Sequence, residues 1–408
     1  MILAELLAEA LRAIRAHRLR SFLTLLGIII GVGTLVGVVS VITGLNQFVH
    51  EKVIQLAPDV YVVQKFGILR SREEFLDALK RRDFDWNDYK VVSRTLTRAD
   101  GVAAEIVGRS ATKYRDRRLG DVQVQGTTAN FGPMLRLDIE PGGRYFTPIE
   151  DDTARRVVVI GSDVKDELFP QQDPIGHELL LGGAGYRVIG LLAKQGRTLG
   201  EERDRKVFIP FQAYRRQFGS RESINILVKA RGGVAGLEAS IDEVRAVLRA
   251  LRHTSFKAPD PFGFVTAESL QELWRQISTA AFILSLLIAS VSLGVGGIVI
   301  MNIMLVSVVE RTQEIGVRRA LGARQRDIRR QFLMEAALLS LLGGLLGVLV
   351  GMGVALGVRG ALDFPATVTP GIVLMGILLA TGVGLAAGYW PARNASKLAV
   401  VDALRAEA

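Results

Sequence analysis

The 408-residue chain contains no cysteine, which excludes disulfide frameworks, thiolate zinc sites, iron–sulfur clusters and cysteine nucleophiles. Its four histidines, His17, His50, His177 and His253, are scattered and form no HExxH, so no metal is expected. No Gly-Lys dipeptide occurs, which removes a Walker A loop from these residues. Proline is scarce at 12 residues beside 43 glycines, a balance unlike that of a Pro/Gly-rich disordered chain. Charged residues make up 23% of the chain, yet the mean hydropathy is positive at +0.29. The apolar character must therefore be concentrated where charge is missing.

Charge is missing from four stretches. Between Arg20 and Glu51 only His50 titrates, and Phe22–Thr43 is uninterruptedly apolar, slightly longer than the ~20 residues that cross the hydrocarbon core. Gln276–Val309, Ala336–Val358 and Phe364–Ala392 are likewise free of charge. The first run is longer than a signal-peptide core and no A-x-A-like site follows it, so it reads as a retained anchor. Four membrane spans are expected. Basic residues set their direction. Arg12, Arg15, Arg18 and Arg20 precede the first span, and Glu310–Gln331 carries seven arginines against three acids. Arg393, Lys397 and Arg405 follow the last span. Both termini and the 310–331 segment are expected inside, and residues 45–275 outside. The formal net charge of +10 is thus largely a record of topology, and nucleic acid is not an expected partner.

The outer segment alternates strand-like runs (Val60–Val63, Arg156–Ile160, Arg187–Leu192, Val207–Ile209, Ile224–Val228) with turns and polar helices. Leu179–Leu181 and Tyr186–Ile189 around GGAG predict a hairpin. Leu237, Ile241, Val244, Leu248 and Leu251 predict a helix inside a βαβ-like unit ending at Phe262–Val265. The fold class is an α-helical membrane protein with four transmembrane helices and a large mixed α+β extracytoplasmic domain between the first and second. The expected organisation begins with an amphipathic inner helix over 1–20 and a first span with stalk over 21–44. The outer domain covers 45–275, with a β-rich insertion over about 105–217. A second span with stalk over 276–309 leads to an inner segment at 310–331. A third span over 332–358, a link over 359–370, a fourth span over 371–390 and an inner tail over 391–408 complete the chain.

With this layout the sequence resembles the MacB-type ABC transporter permeases of the wider FtsX-like class, over nearly the whole chain. The matching motifs are ERTQEIGVRRALGA (310–323), GSDVKDELFPQQDPIGHELLLGGAGYRVIGLL (161–192), FIPFQAY (208–214) and PARNASKLAVVDALRAE (391–407). MacB itself carries an ATPase domain ahead of its first span, where this chain has about 20 residues. The resemblance therefore implies a permease that binds no cofactor directly and receives ATP and Mg through a separate ABC ATPase dimer. It further implies a homodimer in the bacterial inner membrane, with a membrane-fusion adaptor and an outer-membrane channel as further partners. Two alternatives share the topology: an FtsX-like signalling scaffold that activates a cell-wall hydrolase, and a lipoprotein-releasing permease.

Read by its residues alone, 310–323 is a short helix with Glu314 and Arg318 at i,i+4 spacing. Such a basic amphipathic helix can lie on headgroups or dock a partner, and the residues leave both open. The resemblance implies docking. Glu310, Arg311 and Glu314 would pair with partner charges, Ile315 and Leu321 would fill its groove, and Gly316, Arg318, Arg319 and Gly322 complete the coupling set. Glycines at four-residue spacing, Gly27/Gly31, Gly33/Gly37, Gly343/Gly347/Gly351 and Gly384/Gly388, point to close helix packing. Apart from Glu335, expected to pair with Arg329 or Arg330, the spans hold no ionisable residue, which speaks against a charged path through them. A catalytic constellation is not seen. Asp151–Asp152 and Glu201, Glu202 and Asp204 read as solvated loop acids, and Leu69–Arg82 as a small amphipathic helix touching a partner.

Overall fold

A computed structural model describes residues 18–49, 56–69, 71–194, 197–198, 201–202, 204–220, 222–362 and 366–399. The expected helix over Met1–Ala16 and the end of the tail lie outside them. The chain divides into two compact units, residues 1–49 with 275–408, and residues 50–274.

The first unit is helical. It contains α1 (Arg18–Phe48) and, in chain order after the outer unit, α9 (Ala267–Glu310) from Arg275 on, α10 (Thr312–Ala320), α11 (Gln325–Leu362) and α12 (Pro370–Lys397). The helices α1, α9, α11 and α12 are long and apolar enough to cross a membrane. Their ends depart from the sequence expectation. The helix α9 starts nine residues before 276 and is 44 residues long, about 66 Å at 1.5 Å per residue. Proline 391, expected to lie beyond the last span, sits inside α12. A proline there forfeits one backbone bond, but Pro391, Ala392, Ala395 and Ser396 are buried, so packing holds the helix to Lys397. Between α11 and α12 the Thr367 amide donates to the Ser40 carbonyl at 3.0 Å, fastening the link to α1.

Small residues bring these helices together. A methyl group at Gly27 would come within 2.9 Å of Gly296 Cα, and one at Gly31 within 2.9 Å of Leu293 Cγ, so this side of α1 meets α9. Gly33 and Gly37 lie against the carbonyls of Gly347 and Gly351 on α11. Gly343, Gly347 and Gly351 in turn face Ile28, Val32 and Gly33, and Gly384 and Gly388 of α12 face Ser340 and Ala336.

The second unit is built on β1 (Val60–Gln64), β2 (Ala99–Tyr114), β3 (Arg117–Thr127), β4 (Val157–Ile160), β5 (Glu178–Leu181), β6 (Ala184–Leu191), β7 (Arg197–Thr198), β8 (Glu201–Glu202), β9 (Lys206–Pro210), β10 (Asn225–Ala230) and β11 (Gly263–Thr266). Its helices are α2 (Arg72–Leu79), α3 (Trp86–Thr95), α4 (Phe131–Met134), α5 (Pro148–Asp152), α6 (Ser162–Leu168), α7 (Phe211–Phe218) and α8 (Leu237–Leu251). Nine strands form one sheet in the order β11-β1-β10-β2-β3-β9-β4-β6-β5, and β5 also pairs back to β2 at Thr112↔Leu181. That last pairing closes β2, β3, β9, β4, β6 and β5 on themselves, leaving no open edge on that side.

This closed part is the β-rich insertion, but it is not separable. Glu105 lies inside β2, at the residue where pairing to β10 ends, while pairing to β3 runs from Glu105 to Tyr114. One strand therefore serves both halves of the unit. The β10–α8–β11 segment places its two strands antiparallel to β1 on either side. Leu237, Val244 and Leu248 of α8 are buried, and Tyr61 Oη and Ser240 Oγ are hydrogen-bonded at 2.9 Å. The β5–β6 turn is tighter than GGAG suggested: Leu181 pairs with Ala184. Only Gly182 and Gly183 turn the chain, with φ of +55° and +89°, as a two-residue primed turn requires. Alternation along β4 sends Val158 and Ile160 to the main core and Val157 and Val159 to a smaller one with Ala103, Phe208 and Leu227.

Candidate coupling site

The helix α9 ends at Glu310, and Arg311 (φ −102°, ψ 17°) breaks it before α10 begins. Thr312 Oγ1 donates to the Val308 and Val309 carbonyls at 3.1 and 2.8 Å, which bridges the break. At the other end Gly322 has φ +100°. Its amide donates to the Arg319 carbonyl, and the Ala323 amide to the Arg318 carbonyl, both at 3.1 Å. This is a Schellman closure, which needs a residue that tolerates left-handed φ. The Asp327 carboxylate then accepts the Arg324 amide at 3.1 Å and opens α11. A nine-residue helix is thus set between two breaks.

Its faces are unequal. Ile315 is 3% exposed, in one cluster with Val308, Ile328, Phe332, Ala392 and Ala395, and Gly316 is buried beside it. Ile315 therefore anchors α10 to its own bundle, which corrects the expectation that it fills a partner's groove. The apolar residues turned outward are Leu321, 83% exposed, and Val317, 48% exposed. In sequence Ile315, Val317 and Leu321 read as one small apolar side, but Val317 follows Ile315 by about 200° around the helix, so the bundle takes Ile315 and leaves Val317 and Leu321 outside. Arg318 donates to Glu314 Oε1 at 2.6 Å, the i,i+4 pair, and to Gln331 Oε1 at 2.8 Å. Arg319 Nη1 donates to the carbonyl of Leu398 at the end of α12. Arg311 Nη1 is 3.4 Å from Glu335 Oε2, an ion pair with Arg311 where the sequence suggested Arg329 or Arg330. Glu310, Glu314, Leu321 and Gly322 stay exposed, and Arg311, Arg318 and Arg319 are partly covered.

Comparison with known proteins identifies the chain. Residues 21–250 match the family described as MacB-like periplasmic core domain, and residues 281–400 the FtsX-like permease C-terminal family. The chain belongs to the MacB-like permease family. The permease is 32% identical over 409 aligned residues to the macrolide export ATP-binding/permease protein MacB of Bdellovibrio bacteriovorus, covering 99% of this chain and 62% of that protein. It is 34% identical to the protein of the same description from Bordetella avium, covering 99% of this chain and 60% of that one. The chain thus spans about 60% of the length of the curated relatives it matches. The periplasmic region of MacB from Actinobacillus actinomycetemcomitans superposes with a TM-score of 0.45 at 15% identity, over 55% of this chain and 96% of that one. The permease is a multi-pass membrane protein with a large extracytoplasmic domain, inserted between its first and second apolar helices.

Two corrections concern the acids of the outer unit. Asp151 and Asp204 are buried rather than solvated. Burial pushes the Asp151 carboxyl up to about 6, although it accepts the Gln212 amide at 3.2 Å at the start of α7. Its neighbour Glu150 goes the other way: two hydrogen bonds from Arg144, at 2.7 and 2.8 Å, hold it down at about 2. Both sit in α5, where Thr147 and Glu150 form a capping box. These are structural acids, and the local sequence PIEDD offered no sign of their burial. The segment around 69–82 holds α2, capped by Ser71, with Phe75, Leu76 and Leu79 each about half exposed.

Proposed function

We propose that this chain is the permease subunit of an ABC exporter working as a homodimer with a separate ABC ATPase dimer. In this reading it conveys ATP-driven movement through its long helices to the outer unit, which drives efflux of a substrate from the outer side of the membrane. Both termini and α10 lie on the cytoplasmic side of a bacterial inner membrane, in keeping with the excess of arginine there. The observation that carries the reading is the outward face of α10. Leu321 and Val317 form an apolar knob beside the Glu314 carboxylate, on a helix held between two membrane-crossing helices. An exposed anchor with a charged rim is what a protein groove binds. A helix resting on headgroups would turn the same two residues to the lipid, and Leu321→Asp separates the two readings.

The length of α9, about 66 Å against a hydrocarbon core of about 30 Å, supports transmission along a stiff element. The near absence of ionisable residues from the spans supports a path that does not run between them. Catalysis belongs to the ATPase: these 408 residues hold no Walker A loop. The relatives are macrolide exporters by description, and we extend export, not the identity of the substrate, to this chain. In this reading a membrane-fusion adaptor and an outer-membrane channel join the outer unit, where Phe75, Leu76 and Leu79 of α2 are about half exposed.

The test is co-purification of the full chain from its native membranes. An ABC ATPase is expected to come with it. Leu321→Asp should lower that recovery at least tenfold, and Arg326→Glu, at the exposed start of α11, should leave it within twofold. Equal recovery with Leu321→Asp would return α10 to the headgroups. Recovery of a hydrolase activator in place of an adaptor would favour the signalling scaffold.

A further inference from the structure

Adjacent arginines on α10 reach different helices. Arg318 divides its guanidinium between Glu314 on its own helix and Gln331 on α11, at 2.6 and 2.8 Å. Arg319, about 100° further round, donates to the Leu398 carbonyl. Leu398 is the residue that terminates α12. With φ −53° and ψ 131° its carbonyl is turned out of the helical row, where no backbone amide of α12 reaches it. A guanidinium placed there makes a charge-assisted hydrogen bond to the residue where the chain leaves α12. At its own ends α10 is bounded by the break at Arg311 and the left-handed Gly322. It is therefore a short rod with a joint at each end and an apolar seat at Ile315, tied to α11 by Arg318 and, from its N-cap, by Arg311 to Glu335, and to α12 by Arg319.

We propose that Arg319 is the positioning residue that makes α12 follow the coupling helix, as Arg318 through Gln331 makes α11 follow it. A displacement of α10 then enters the bundle through α9, α11 and α12 together and not along α9 alone. This rests on α10 being the ATPase-docking element, but the ties themselves can be measured with no ATPase present.

The absence of cysteine from the sequence permits label pairs without first removing a native thiol. Full-length protein in lipid nanodiscs would carry spin labels at Leu321→Cys with Asn394→Cys on α12, or at Leu321→Cys with Met334→Cys on α11, all exposed positions. With Arg319→Ala, the width of the 321–394 distance distribution is expected to double at least, and the 321–334 width to stay unchanged. Arg318→Ala should do the reverse, and Arg319→Lys, which keeps a donor, should restore most of the narrow 321–394 distribution. An unchanged 321–394 width in Arg319→Ala overturns the proposal, as does broadening of both pairs by either variant. Arg319→Ala should also retain ATPase recovery while export falls at least tenfold, and loss of that recovery would make Arg319 a docking residue and overturn its positioning role. Failure of the docking reading has a separate signature, namely no ATPase recovered with the unsubstituted chain.

Discussion

The membrane helices and the outer sheet of one chain are packed by opposite means. Where α1 meets α9 and α11, the contacts are Gly27 with Gly296 and Gly33 with Gly347 and Gly351. Where the outer strands meet their helices, the buried groups are Tyr61, Phe169, Tyr186, Phe208 and Phe211 with many valines and isoleucines. The solvent accounts for the difference. In water, removing a large apolar side chain from solvent is itself the driving force. In lipid that gain vanishes on helix association, and close backbone approach with its dispersion contacts takes over. Large exposed apolar residues such as Leu287, Val291 and Leu349 on the spans fit the same account, since they face hydrocarbon.

The largest expected effect sets these two modes against each other. Gly351→Leu would drive a side chain into the Gly33 carbonyl, already only 2.8 Å from a methyl at that position. Folded protein should be lost from the membrane, as read by size exclusion of detergent extracts. Gly353→Leu, two residues on and with nothing within 4 Å, should be tolerated. Equal yields from the two would break the comparison. A smaller effect is expected in the outer unit, where Phe208→Ala deletes a buried ring without separating backbones. It should cost about 3–5 kcal/mol in thermal or denaturant unfolding of the full chain, which still folds.

The smallest effects concern charge, which the outer unit buries and the spans almost entirely avoid. Glu150 is held at about 2 by Arg144, so its contribution is present above its ordinary value of 4.5 and lost as pH falls towards 2. Glu150→Gln should cost ~2 kcal/mol at pH 7 and nothing near pH 2. Asp151, raised to about 6 by burial, has the opposite sign. The fold is favoured while the group is protonated, and that advantage is lost as pH rises from about 4 through 6. Asp151→Asn should remove this slope, amounting to ~3 kcal/mol between pH 4 and 7. Thermal unfolding followed across pH separates the two residues, and parallel profiles would contradict the assignment.

Much of the architecture could be read in advance because it depends on patterns that are local in the chain. Four charge-free runs become membrane-length helices, the first two glycines of GGAG become the β5–β6 turn, and the 237–251 stripe becomes α8. Glycine spacing within each span marks a small-residue face whatever that face meets. The long β2–β3 hairpin escaped notice because its strands carry charges and glycines along open faces, and only pairing of β5 back to β2 closes it. Asp151 looked solvated because nothing within PIEDD reports the distant Phe211–Phe218 helix that covers it.

What the sequence determined by itself is therefore the solvent of each segment and the order of segments: period, length and charge density are properties of a single stretch. The tertiary structure alone decided which side of each element is used. It turned Ile315 inward and Leu321 outward, brought Arg311 to Glu335, and set Arg319 on a backbone carbonyl 79 residues away. The physical reason is that a contact depends on the rotation of two elements about their axes. Whether a given isoleucine or arginine meets a partner, its own bundle or water is settled only when the helices pack.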